Sequence, residues 1–206
     1  MARICVYCAS SEAIAPHYVD LAGEVGAVLA ARGHALVSGG GSISAMGALA
    51  RAARAEGAHT TGVIPQALLT WEVADHDADE LVVTPDMRTR KGEMDDRSDA
   101  FLVLPGGIGT LEELLEIWVA RTLRMHDRPV VVLDPDGLYD PLREQIRVLV
   151  DRGFMRPASA DLLRWTTSVA EAFDAIEAEL SAPAPAAAVD PAGTAADPSE
   201  LLEAEP

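Results

Sequence analysis

The stretch Ala100-Phe101-Leu102-Val103-Leu104-Pro105-Gly106-Gly107-Ile108-Gly109-Thr110-Leu111-Glu112-Glu113 decides how this chain reads. Its opening run of apolar residues predicts a strand buried on both faces, the pattern of a parallel sheet rather than a half-exposed one. The glycines that follow let backbone N–H groups approach an anion closely. The helix that opens behind them aims its unpaired N–H groups and positive dipole end at the same point. Glu112 and Glu113, one turn in, can meet whatever the anion carries. The same letters also fit a capping box, in which Thr110 and Glu113 satisfy each other's backbone amides. Spacing alone leaves both readings open.

A second junction of this kind, Ser38-Gly39-Gly40-Gly41-Ser42, follows the apolar Ala35-Leu36-Val37 and precedes an Ala-rich helical segment, and a third, Cys8-Ala9-Ser10-Ser11, follows the first apolar run. Strands are predicted at 3–9, 34–38, 60–64, 80–84, 100–104, 129–134 and 162–166, and helices at 16–32, 43–56, 86–97, 110–124, 138–151 and 169–180. Regular alternation with near-continuous apolar strands predicts a single doubly wound, Rossmann-like α/β fold, a parallel sheet with helices on both faces. All three junctions then lie along the carboxyl edge of the sheet, where open α/β folds bind ligands.

Composition narrows the partners. The 206 residues are 49% hydrophobic with a formal charge of −17, which argues against nucleic acid, whose phosphates demand a basic face. No apolar run approaches about 20 residues, so no membrane span is expected, and no charged-then-apolar leader precedes the first strand, so a cytoplasmic location is expected. Any phosphate site must be a local pocket of amides and a few cations working against the overall field. Cys5 and Cys8 form a C-x-x-C inside or just after a strand, with no second ligand pair in the sequence, and read as core residues rather than a redox or metal site. Residues 1–180 are read as the folded domain. Residues 181–206, rich in Ala and Pro with five acids and no basic residue, are expected to be a disordered acidic tail, because they cannot bury enough apolar area to offset ordering entropy.

The segment Met87-Arg88-Thr89-Arg90-Lys91-Gly92-Glu93-Met94 puts Met87, Arg90, Lys91 and Met94 on one helical stripe. Cations on a core-facing stripe are costly unless they reach an opening or an acid. Lys91 is also the single lysine of the chain, beside fifteen arginines.

Together, Cys8-Ala9-Ser10-Ser11, Gly39-Gly40-Gly41 with Met46-Gly47, Gly62-Val63-Ile64-Pro65, Met87-x-x-Arg90-Lys91 and Pro105-Gly-Gly-x-Gly-Thr-x-x-Glu113 resemble the LOG (Lonely Guy) family of cytokinin riboside 5′-monophosphate phosphoribohydrolases, over roughly residues 4–180. The resemblance implies hydrolysis of the N-glycosidic bond of a purine nucleoside 5′-monophosphate, giving free base and ribose 5-phosphate, in a homodimer that needs neither cofactor nor metal. It implies a catalytic pair, Arg90 and Glu113. Substrate contacts are implied at Ser10, Gly40, Gly41, Met46, Glu72 and Lys91, and around the phosphate loop at Gly106, Gly107, Ile108, Gly109, Thr110, Leu111 and Glu112. Those residue types suit the chemistry. A carboxylate stabilises an oxocarbenium-like state and can orient water, while an amide nest that holds the phosphate fixes the ribose against it.

Ala9 and the segment Val119-Ala120-Arg121-Thr122 depart from cytokinin-active relatives and bear on the base pocket. A hydride-transfer enzyme would need G-x-G-x-x-G after the first strand, which Cys8-Ala9-Ser10-Ser11 does not supply. A pyridoxal-phosphate decarboxylase, a label some relatives carry, would have to use Lys91 for its Schiff base. The alternative from another class is a non-catalytic nucleotide sensor or carrier. The apolar stripe Leu111, Leu114, Leu115 and Trp118, with Met125 beyond, is the expected dimer surface.

Overall fold

The computed structural model describes residues 1–69 and 74–182. Seven parallel strands make one sheet: β1 (Arg3–Tyr7), β2 (Ala35–Ser38), β3 (Thr60–Pro65), β4 (Glu80–Thr84), β5 (Ala100–Val103), β6 (Val130–Leu133) and β7 (Leu163–Thr166), in the spatial order β4-β3-β2-β1-β5-β6-β7. The chain therefore steps outward from β1 to β4, returns to set β5 against β1, and steps outward the other way. The reversal between β1 and β5 is the topological switch point of a doubly wound sheet, and the crevice beyond it is where such folds take ligands. Register sets Tyr7 beside Val103, so the loops after β1 and β5 leave the sheet together.

The apolar runs behave as their composition demands. Strands β1, β2, β5 and β6 are buried along nearly their whole length, while the edge strands β4 and β7 are partly exposed. One face is covered by α1 (Pro16–Ala31), α2 (Ser44–Ala55) and α7 (Val169–Ser181), which bring Leu29, Leu49 and Phe173 onto Ile4, Leu102 and Val131. The other face takes α3 (Met87–Asp96), α4 (Ile108–Thr122) and α5 (Asp140–Asp151), with Met94, Leu114, Trp118 and Ile146 packed on Cys5, Phe101 and Val132. Helices α1 and α2 cross closely because Gly26 has no side chain; a Cβ there would lie 2.2 Å from the Leu49 carbonyl oxygen.

A 3₁₀ turn at Gln66–Leu68 and the one-turn helix α6 (Pro157–Ala160) are too short to carry a periodicity in the sequence. Helix α6 matters to the site indirectly, because the Trp118 indole donates to the Ser159 carbonyl at 2.8 Å and so seats α4. Among the described residues no helix is long and apolar enough to cross a membrane. Cys5 and Cys8 are buried free thiols; burial pushes Cys5 up to about 12 and Cys8 further, which leaves both inert as nucleophiles.

Candidate active site

Helix α4 starts two residues earlier than the sequence suggests. Gly107 is its N-cap, with no side-chain cap, and Ile108 is its first residue. The Thr110–Glu113 capping box is therefore not formed. Thr110 is buried on the third helical position with its hydroxyl against Gly106, where a Cβ would stand 2.2 Å from that oxygen. Glu113 is released for another partner, and the exposed turn Gly107–Gly109 offers the amides of an uncapped helix N-terminus.

That partner is Arg90. Helix α3, which carries it, is fixed at its N-terminus by Asp86, whose carboxylate accepts from the Thr89 N–H at 2.8 Å, and past its C-terminus by Arg128, which donates to the carbonyls of Asp95 and Ser98 at 2.6 and 3.1 Å. Each guanidinium nitrogen of Arg90 is placed. Nε donates to the Val63 carbonyl at 3.0 Å and Nη1 to Glu113 Oε1 at 2.9 Å, while Nη2 lies against Gly39, on which a Cβ would come within 2.1 Å of it. Arg90 is only 7% exposed. Burial raises the Glu113 carboxyl above the usual carboxylate range, a rise that the Arg90 charge and hydrogen bond only partly offset.

The pair borders a cavity of about 390 Å³ at the switch point. Its walls come from the β1 loop (Cys8, Ala9, Ser10, Ser11), Gly39 and Met46 of the second junction, Leu68, Met87 and Met94, and Gly107, Ile108, Gly109, Thr110 and Glu112 at the start of α4. The loop after β1 is tied to α2 by the Ser44 hydroxyl, which donates to the Ser11 carbonyl at 2.6 Å. One side of the cavity is thus amide and hydroxyl, another thioether and aliphatic.

The structure brings Arg90, Glu113, Ser10, Met46, Gly107, Ile108, Gly109, Thr110 and Glu112 together around this space. Gly40 and Gly41 stand behind the wall instead. Gly40, at φ +73°, accepts from the Asp75 N–H at 2.8 Å, and Gly41 bridges to Ala74. Gly106 packs on Thr110, and Leu111 packs on the core of the second sheet face. Lys91 lines an adjoining groove and is paired with Glu112 and, at 2.5 Å, with Glu116; burial pushes its ammonium down, but the two carboxylates outweigh it and hold the charge on. A Schiff-base lysine must shed that proton, so this position is built against such chemistry. Glu72 lies outside the described residues. Of the expected methionine stripe, Met94 is fully buried, whereas Met87 is 46% exposed and faces the cavity mouth.

Sequence reasoning passed over Gly39 and Leu68. The signal for Gly39 was present in the glycine triplet, but which glycine faces an arginine depends on β3 and α3, which are distant in sequence.

A family model described as possible lysine decarboxylase matches residues 46–176. The chain is 51% identical over 172 residues to the cytokinin riboside 5′-monophosphate phosphoribohydrolase of Mycobacterium tuberculosis, covering 84% of this chain and 91% of the relative. It is 42% identical over 161 residues to the enzyme of that name designated LOG3 in Arabidopsis thaliana, covering 78% and 75%. Among solved structures, a molybdenum cofactor carrier protein from Chlamydomonas reinhardtii superposes with a TM-score of 0.64 at 22% identity, over 88% of this chain and 99% of that chain, a likeness of fold alone. With that identity spread across nearly the whole folded body and the Arg90–Glu113 pair set at the switch point, the chain belongs to the LOG family of phosphoribohydrolases.

Proposed function

We propose that the cavity takes a purine nucleoside 5′-monophosphate, with adenine or a prenylated adenine as its base, and hydrolyses the bond between base and ribose. The observation that carries this reading is the buried carboxylate of Glu113, held 2.9 Å from Arg90 beside an uncapped helix N-terminus. The 5′-phosphate sits on the amides of residues 107–109 and the Ser10 hydroxyl, where the dipole of α4 favours an anion despite the acidic surface. The ribose is then fixed with its anomeric carbon toward Glu113. As the C1′–N bond breaks, the bonding pair leaves with the base, which takes up a proton. The carboxylate stabilises the positive charge on the sugar and accepts a proton from the water that adds to C1′, leaving ribose 5-phosphate. Arg90 keeps Glu113 oriented and ionised. Met46, Leu68 and Met87 offer the base an apolar wall.

Leu115, Val119, Leu123 and Met125 form an exposed apolar strip, 42 to 75% exposed, beside the groove of about 600 Å³ next to the site. Such a strip suits a second copy of the chain, hence a homodimer. We place the protein in the cytoplasm and assign no catalytic part to the expected tail, residues 181–206, of which Ser181 closes α7 and residues 183–206 lie outside the described residues. A carrier needs no desolvated carboxylate at its ligand, which favours hydrolysis over carriage. Incubation with AMP and with isopentenyladenosine monophosphate, read by chromatography for free base, tests the reading. Base release from either supports it; tight binding of both with no release selects the carrier alternative.

A further inference from the structure

We propose that the ion pair between Arg54 and Asp75 positions the Arg90–Glu113 pair, acting through the glycine turn after β2. The inference rests on the hydrolase reading above for its kinetic consequence, though not for its geometry. Arg54, near the end of α2, grips Asp75 with a two-pronged fork: Nη1 donates to Oδ2 at 2.7 Å and Nη2 to Oδ1 at 3.0 Å. Both side chains are largely buried, at 18 and 7% exposure. Parallel bonds of this kind fix orientation as well as distance, and a desolvated pair is more rigid than an exposed one of the same length.

What the fork holds in place is the backbone of residues 74 and 75. The Asp75 N–H donates to the Gly40 carbonyl at 2.8 Å, and Ala74 forms an antiparallel bridge with Gly41. From the opposite side the turn rests on β3, where a Cβ on Gly62 would come within 3.0 Å of the Gly40 Cα. Gly40 is thus gripped between β3 and the Asp75 backbone in a left-handed conformation, at φ +73°. The residue ahead of it, Gly39, forms the wall against Arg90 Nη2. Movement of the turn therefore reaches the guanidinium through one van der Waals contact and Glu113 through one hydrogen bond. Neither Arg54 nor Asp75 lines the cavity, so both are positioning residues.

The test is Asp75→Asn, which keeps the shape and one hydrogen-bond acceptor but removes the charge. The expected result is a fall in kcat of about tenfold, on the scale of a small misplacement remote from the chemistry, with KM nearly unchanged because the phosphate loop is untouched. A second readout needs no turnover: ¹³C titration of the Glu113 carboxyl, assigned by the signal lost in Glu113→Gln. The groups that face this carboxyl are Arg90 and Lys91 from α3, Glu112 from its own helix, and Tyr7, Cys5 and Cys8 from β1 and its loop. Loosening Arg90 alone moves the titration upward. The charge-reversed double variant Arg54→Asp with Asp75→Arg is expected to restore both. If Asp75→Asn does not fold, Arg54→Lys, which keeps charge but loses the fork, is read in the same way. A variant with a lower melting temperature but unchanged kcat and Glu113 titration overturns the inference. If the wild type shows no turnover at all, the hydrolase reading fails, and the carboxyl titration still decides the positioning role.

Discussion

A methyl group on Gly39 would stand 2.1 Å from Arg90 Nη2 and 3.0 Å from the Met46 sulfur, so Gly39→Ala cannot be accommodated without moving the guanidinium. Nη2 is the end of a long side chain and can yield, which means the fold survives and the site does not. We expect a loss of about ten- to a hundredfold in kcat with a melting temperature close to wild type, checked by steady-state kinetics beside thermal denaturation. Glu113→Gln separates charge from shape at the other end of the pair. The amide oxygen still accepts from Arg90, so stability is expected to change little, whereas the charge proposed to stabilise the sugar cation is gone and turnover is expected to fall by about 10² to 10³. Near-native turnover in that variant would reduce Glu113 to an ion-pair partner. Arg90 and Glu113 were both legible in the sequence, as a cation on a core-facing stripe and an acid behind a glycine run. Gly39 was not, because a glycine triplet announces a turn without saying which member faces a neighbour from another strand.

At the scale of elements, α4 shows both the reach and the limit of pattern. The apolar runs of β1, β5 and β6 were readable because central parallel strands need no alternation. Pattern sets the start of α4 two residues late because Thr110-x-x-Glu113 imitates a cap while the true cap, Gly107, has no side chain to signal itself. The expected dimer stripe also divides: Leu114 and Trp118 belong to the core, at 0 and 3% exposure, whereas Leu115, Val119 and Leu123 face outward. Helical spacing places large apolar residues on adjoining faces of α4, and only the packing against β1 and α6 tells them apart. Val119→Glu puts a charge at the centre of the outward strip without touching the core. Light scattering is expected to show a dimer in the wild type and a monomer in this variant, with the monomer's melting temperature lowered by loss of subunit association. A wild type that is already monomeric at micromolar concentration removes the strip's proposed role.

For the whole molecule the governing quantity is charge. Residues 183–206 carry five acids, which taken from −17 leave −12 on the rest, still acidic enough for solubility. Their removal is expected to leave the melting temperature and kcat/KM unchanged, since they have no apolar periodicity to pack; a tenfold fall in rate would show that they dock. The response to acid follows from carboxylates that are shifted in opposite directions. Backbone hydrogen bonding by Thr60 lowers Asp79. At Asp99 and Glu177 burial pushes upward, but Arg3 at the first, and His34 and Arg32 at the second, outweigh it and the net direction is down. A depressed folded-state pKa contributes stability that is present above the unfolded value, near 4, and is lost as pH falls through the folded one. Glu113 runs the other way. Its folded pKa is raised, so the folded state holds that proton more tightly, and the cost of ionising it disappears as pH falls through the raised value. Protonation of Glu113 therefore removes the charge we propose to be catalytic without destabilising the fold, and it does so at a pH where the depressed carboxylates are still ionised. The acid limb of kcat/KM is expected above the ordinary carboxylate range, while the circular-dichroism signal holds until the pH is below it. If the two midpoints coincide, inactivation is unfolding, and Glu113 is not the group whose ionisation the reaction requires.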